Sequence, residues 1–283
     1  MKSLFILLGL LASVFALPTE EIHIISRLEP RHIELPLPEG AGPLPNGSNQ
    51  HSSRIINGRD AAPGTLKYQA GLVIDNRGFC GGSLIRHNFV LTAAHCVDDA
   101  SSTQVVLGAH DIHKQLNTQQ VIVSRIHYVH YGWDRSTLSN DVALIKIRSV
   151  ANNPSVRIIP LAPKNAVDFA NSHATLSGWG RMSDDSNQIA NYLQVVQLKI
   201  MTNRRCNLNF LGVIQSQHIC TQGSYGDYNA GACNGDSGGP LVVSGLQVGI
   251  VSFGFPRCSA GMPSVYARVS AFADFIESVV ERH

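Results

Sequence analysis

The sequence predicts an all-β protein that closes on one helix, and three observations carry that expectation. From Leu66 onward, short apolar runs recur and are broken by Gly, Asn and Asp before any helix could be completed. No sustained 3.6-residue apolar period occurs ahead of the C-terminus. Hydrophobic residues make up 44% of the chain and charged residues 15%, the balance of a globular protein with a sizeable core.

Strands are expected at Gln69–Ile74, Gly82–Ile85, Phe89–Thr92, Gln104–Leu107, Gln119–His127 and Val142–Ile147. The rhythm resumes with Ala174–Gly178, Gln194–Ile200, Pro240–Val243, Leu246–Phe253 and Val265–Val269. The Pro-punctuated stretch Ile159-Pro160-Leu161-Ala162-Pro163 divides the two series. Barrels or sandwiches fit such a pattern. The closing helix follows from Phe272, Phe275, Ile276, Val279 and Val280, which fall at i, i+3, i+4, i+7 and i+8, with Ser270 as the expected N-cap. Its polar face, with Glu277, Glu281 and Arg282, lacks the basic excess of a membrane-surface helix.

Two segments precede the core. Met1 to Ala16 has Lys2 in a short basic region, an apolar run from Leu4 to Leu11 and Val14-Phe15-Ala16 as a cleavage site, which is the pattern of a signal peptide. That run is too short to span a bilayer. Leu17 to Arg54 holds Pro18, Pro30, Pro36, Pro38, Pro43 and Pro45, five glutamates and no cysteine, so it cannot build a core and is expected to be extended and mobile. The single glycosylation sequon, Asn46-Gly47-Ser48, lies in it. The net charge of +2 and pI near 8.2 come from scattered Lys and Arg, so neither nucleic acid nor a membrane is an expected partner.

The stretch carrying most chemistry is Gly231-Ala232-Cys233-Asn234-Gly235-Asp236-Ser237-Gly238-Gly239-Pro240. A serine hydroxyl needs a base to become a nucleophile, and the oxyanion it generates needs backbone N–H donors. Glycines around Ser237 allow close approach, and the amides of Gly235 and Ser237 are the expected donors. Alone, the string could be a Gly-rich turn with an incidental serine. A candidate base stands in Leu91-Thr92-Ala93-Ala94-His95-Cys96 and a candidate orienting acid in Asn140-Asp141-Val142-Ala143-Leu144-Ile145.

With these segments in the order His, Asp, Ser, and with Arg54-Ile55-Ile56-Asn57-Gly58, Ser177-Gly178-Trp179-Gly180 and Ser252-Phe253-Gly254 beside them, the chain from Ile55 onward resembles the chymotrypsin family of secreted serine proteases, most of all the chymotrypsin-like digestive enzymes of arthropods. The resemblance implies two six-stranded antiparallel β-barrels, about 55–162 and 163–270, a helix at about 271–282, and an active site between the barrels. It implies His95, Asp141 and Ser237 as the catalytic set, and a pro-segment, 17–54, removed by cleavage after Arg54. The freed amine of Ile55 would then pair with Asp236. A trypsin-like activating protease, protein or peptide substrates, a secreted monomer and no cofactor follow as expectations. The alternative is a secreted factor that keeps the triad but acts by binding or in regulated proteolysis.

Six cysteines behind a signal peptide mean three disulfides, and counting alone leaves fifteen pairings open. The family pattern implies Cys80 with Cys96, Cys206 with Cys220, and Cys233 with Cys258. No C-x-x-C pair suggests zinc, and the pairs His110/His113 and His127/His130 are spaced three apart, which in a strand directs the two side chains to opposite faces. Relatives that hold calcium place a glutamate where Ala109 follows Gly108, so no metal site is expected. The family's specificity pocket maps to Gly231, Gly254 and Ser264. Relatives that cut after Lys or Arg carry an aspartate at the position of Gly231; here only Asp227 could reach in. The implied pocket is uncharged and apolar, narrowed by Ser264, with Phe253 in place of a usual tryptophan at the neighbouring subsite.

Overall fold

The strands form where apolar runs let consecutive residues bury on both faces of a sheet. The computed structural model describes residues 29–30, 33–34 and 58–283 apart from Asn152 and Asp227. The expected signal peptide, the Asn46 sequon, Arg54 and Ile55 lie outside the described residues, as does Asp227.

The described chain opens with β1 (Glu29–Pro30), β2 (Ile33–Glu34) and β3 (Arg59–Asp60). The first barrel uses β4 (Gln69–Ile74), β5 (Gly78–Arg86), β6 (Phe89–Thr92), β7 (Thr103–Leu107), β8 (Gln120–Ser124), β9 (Ile126–Val129) and β10 (Ala143–Lys146). The second uses β11 (His173–Gly178), β12 (Gln194–Met201) and β13 (His218–Thr221), then, past a small hairpin of β14 (Ser224–Tyr225) and β15 (Tyr228–Asn229), β16 (Pro240–Val243), β17 (Leu246–Gly254) and β18 (Ser264–Arg268). Helix α1 (Ala94–Val97) follows β6, α2 (Asn203–Phe210) follows β12, and α3 (Ala273–Arg282) ends the chain.

The expected single strand over Gln119–His127 is two strands, and the difference closes the first barrel. At Arg125 the chain turns, so that β8 pairs with β7 while β9 pairs with β10 at the other end of the same sheet. In the second barrel β11 pairs with both β16 and β12, which completes the ring β11-β16-β17-β18-β13-β12. Closure removes the unpaired edges that an open sheet would present.

Two helical expectations need correction. Ser270 does not cap the last helix: a 3-10 turn over Val269–Phe272 leads into α3, whose N-cap is Phe272 without a side-chain bond. Helix α2 was not expected. Thr202 caps it by accepting from Arg205 N at 3.3 Å, and it buries Cys206 and Phe210, one turn apart. Too few apolar residues mark this helix for periodicity to disclose it. The N-terminal segment is also not wholly unattached, since β1 pairs with β5 and β2 with β17.

The second barrel keeps a cluster of its own, around Leu176, Leu198, Ile219 and Tyr266, but one cluster joins the two barrels. Leu84, Val90, Leu91, Leu144 and Ile145 of the first pack in the same cluster as Val242, Ile250 and Ala267 of the second and Phe272, Ile276 and Val279 at the C-terminus. Ser83 Oγ donates to Gln247 Oε1 at 2.6 Å and Ser177 Oγ to Gln69 Oε1 at 2.7 Å, so buried polar side chains also pair across the seam.

Candidate active site

His95 sits in α1, immediately after β6, with its ring between the barrels and 3% of its surface exposed. Its Nδ1 lies 2.8 Å from Asp141 Oδ2, and its backbone N donates to Asp141 Oδ1 at 2.9 Å. Asp141 precedes β10 in a tight turn in which Val142 N donates to Asn140 O at 2.8 Å. Asn140 has φ +58°, a conformation asparagine tolerates better than most residues, and its Nδ2 is anchored on Gly132 O at 2.7 Å. Ser252 of β17 donates to Asp141 Oδ2 at 2.5 Å, so the second barrel grips the acid of the first. Burial pushes the Asp141 carboxyl up; the charge of His95 and the hydrogen bonds from His95 and Ser252 outweigh it and hold the group below the usual carboxylate range. His95 Nε2 is buried and has no hydrogen-bond partner among the described residues, so a lone pair or proton there is available for chemistry.

Ser237 lies in the turn before β16, fully buried. Its carbonyl accepts from Gly81 N of β5 at 2.7 Å, and the disulfide sulfur of Cys96, next to His95, lies 3.6 Å from the same oxygen. The serine is thereby docked onto β5 and onto the helix that carries the histidine. Gly238 makes the docking possible: it has φ +78°, and a Cβ there would stand 2.1 Å from Thr92 Oγ1. Gly235 has φ +97°, which directs its peptide in a way other residues resist.

Asp236 is fully buried between these two residues and Trp179-Gly180. Its Oδ1 accepts from Gly180 N at 2.8 Å and its Oδ2 from Cys233 N at 3.0 Å. Burial dominates its chemistry and pushes the carboxyl up to about 7, against those two donors.

Gly231 and Ser264 face each other, since a Cβ on Gly231 would come 2.9 Å from Ser264 Oγ. Ser264 Oγ also accepts from Ala232 N at 3.2 Å, which turns the hydroxyl into the wall. The slot is bordered by Ala232, Phe253, Gly254, Phe255, Arg257 and Ser264. Its rim is pinned by Asp184, which accepts from Cys258 N at 2.8 Å and Ser259 N at 3.2 Å and lies 4.0 Å from Arg257 Nε.

The disulfides are Cys80–Cys96, Cys206–Cys220 and Cys233–Cys258, the pairs implied by the family pattern. Cys80, His95 and Cys96 lie close together, as do Asp184, Cys233 and Cys258, but their sulfurs are in disulfides and each cluster keeps one usable metal donor. His110 stacks on Tyr192, His127 bonds Thr103 Oγ1 at 3.0 Å and His130 stacks on Tyr131, which places these histidines in packing roles. Ala109 packs against a core cluster and offers a methyl rather than an oxygen.

Sequence reasoning missed the supporting residues: Gly81, Thr92 and Ser252. Ser252 was visible as part of a shared motif, yet nothing in one dimension tells that its hydroxyl reaches Asp141. Ser252→Ala removes one charge-assisted hydrogen bond, worth about 1.5–3 kcal/mol. It should lower kcat of the mature enzyme roughly tenfold or more in initial-rate assays, and unchanged rates would make the contact incidental.

Comparison with known proteins agrees with this geometry. The family model described as Trypsin matches residues 55–276. Brachyurin of Leptuca pugilator is 39% identical over 226 residues, covering 79% of this chain and 97% of the relative. Chymotrypsin-2 of Vespa crabro is 37% identical, covering 79% of this chain and 98% of its own. A solved structure titled HL collagenase superposes with a TM-score of 0.71 at 37% identity, covering 80% of this chain and 98% of that one. Relatives of similar identity include a duodenase from Bos taurus and a trypsin from Xenopus laevis, so no arthropod chymotrypsin group is singled out. A double β-barrel with a C-terminal helix, a His-Asp pair and a serine docked against it make this chain a member of the trypsin family of serine endopeptidases.

Proposed function

We propose that the chain is a secreted zymogen whose mature form cleaves proteins and peptides after large apolar residues. Ser237 Oγ attacks the scissile carbonyl, His95 Nε2 takes its proton and later delivers it to the leaving amine, and Asp141 holds the Nδ1–H tautomer. The amides of Gly235 and Ser237 stabilise the oxyanion. Cleavage after Arg54 starts the mature chain at Ile55, and the leader and Leu17–Arg54 are lost.

The observation that carries the specificity is the electrostatics of the slot. Among the described residues no acid lines it, and its one charged lining residue, Arg257, lies 4.0 Å from Asp184 at the rim. A lysine or arginine side chain entering there would lose its hydration with no opposite charge to replace it. Phe253 and Phe255 instead offer apolar surface, both buried. Peptides with Phe, Tyr, Leu or Met before the scissile bond should have kcat/KM at least about tenfold above Lys or Arg peptides, the 1.4 kcal/mol that a modest unpaired-charge cost supplies. Ser264→Gly opens the wall and should favour Tyr and Phe over Leu. Cleavage-site profiling on a mixed peptide library reads both effects, and a preference for Lys or Arg would overturn the assignment.

A further inference from the structure

β1 pairs with a strand of the first barrel and β2 with a strand of the second. Glu29 pairs with Gly78 and Pro30 with Phe79 on β5, and Glu29 N donates to Arg77 O at 2.8 Å. Ile33 pairs with Phe253 and Glu34 with Gly254 on β17. Both pairings are parallel. β5 belongs to the barrel of His95 and Asp141, and β17 to that of Ser237. Pro30 and Ile33 are three Cα steps apart, a reach of at most about 11 Å. Two residues therefore separate a strand paired to the first barrel from a strand paired to the second.

The direction of that crossing is opposite to that of a substrate. The slot at Gly231, Gly254 and Ser264 takes the residue whose carbonyl Ser237 attacks, so the acyl half of a substrate lies along β17 and the leaving half departs along β5. A productive peptide runs from N to C from β17 toward β5. Residues 29–34 run from N to C from β5 toward β17. In a reversed peptide each amide nitrogen lies on the β17 side of its carbonyl, where the acyl group belongs. The proton that His95 delivers toward β5 meets no leaving nitrogen.

We propose that the cleft binds extended peptides in a second, reversed and unproductive mode, and that its own occupant is residues 29–34. The inference deepens the peptidase reading and rests on it. While the chain is uncut at Arg54 this segment binds intramolecularly, with an effective concentration that can reach the millimolar range. After cleavage at Arg54 the same segment becomes a reversible competitive inhibitor that the enzyme does not cut.

The test uses the mature enzyme, freed of its pro-segment and of the activating protease, and a synthetic peptide of residues 27–36. Hydrolysis of an unrelated peptide substrate and fluorescence anisotropy of the labelled 27–36 peptide are measured side by side. At about 1 mM peptide, the concentration a tether would supply, the rate on a substrate held below its KM should fall at least tenfold. The inhibition should be competitive and the peptide should stay intact by mass spectrometry. Glu29→Pro in the peptide removes the donor to Arg77 O and should weaken both inhibition and binding about tenfold, whereas Glu29→Gln keeps that donor and should not. Turnover without inhibition, or scission of the peptide between residues 29 and 34, overturns the reversed mode. An enzyme that turns over no peptide at all overturns the peptidase reading instead, and anisotropy still decides whether the segment binds.

Discussion

Ser237→Ala and His95→Ala should each lower kcat of the activated enzyme by about a millionfold, with the double variant little worse than either, if nucleophile and base act as one unit. Asp141→Asn costs about ten-thousandfold: the ring loses the partner that holds Nδ1 at 2.8 Å and the tautomer with it. Initial rates on a Phe or Leu peptide read all four values. A fluorophosphonate label should attach to the parent and to none of the Ser237 or His95 variants. Multiplicative losses, or one variant with ordinary activity, would remove the assignment. Labelling of the parent would also set aside the reading of a triad kept only for binding.

Asp236→Asn should be cut after Arg54 as readily as the parent and yet keep a hundredth of its activity or less. In the uncut chain Ile55 carries an amide, and Asp236 has two backbone donors and no cation among the described residues. Its carboxyl is pushed up to about 7 from the ordinary 3.8. Cutting creates an ammonium at Ile55, and removing one side of a buried ion pair costs about 3–5 kcal/mol. The same substitution stabilises the precursor at neutral pH. A folded pKa above the unfolded one contributes stability that is complete below the unfolded value and is lost as pH rises through the folded value. The uncut parent should therefore weaken between about pH 4 and 7, by up to about 4 kcal/mol, while the uncut Asn variant does not share that loss. Urea unfolding at pH 5 and 8 measures the difference. Trace trypsin should supply the cut, with Ile55 as the new N-terminus, while purified precursor stays inactive on storage because its slot does not suit Arg54. Self-activation, or equal pH profiles for both precursors, would refute this account.

The strands were legible because their signal is local. Gln69–Ile74, Phe89–Thr92 and Pro240–Val243 begin and end as the apolar runs do. The break at Arg125 was not legible, since both halves are apolar and only the requirement to pair with β7 and β10 separates them. His95, Asp141 and Ser237 were legible through motifs. The means of bringing them together was not: Gly81 and Gly238 act across 157 positions of sequence, through a hydrogen bond to Ser237 O and a backbone approach that no periodicity encodes. The pairing of Glu29–Pro30 and Ile33–Glu34 was invisible for a related reason, because a Pro-rich, core-less segment carries no mark of the strands that will accept it.

The core cluster shared by both barrels and α3 also sets the order in which this protein can be finished. Leu84, Leu91 and Leu144 leave the ribosome early, but Phe272, which packs with them, follows Leu144 by 128 residues. At about 5–20 residues per second, that face waits roughly 6–26 s to be covered. For most of that interval, until residue 237 is made, the histidine and aspartate exist without their serine, and the growing chain holds an apolar face that Phe272, Ile276 and Val279 have yet to cover.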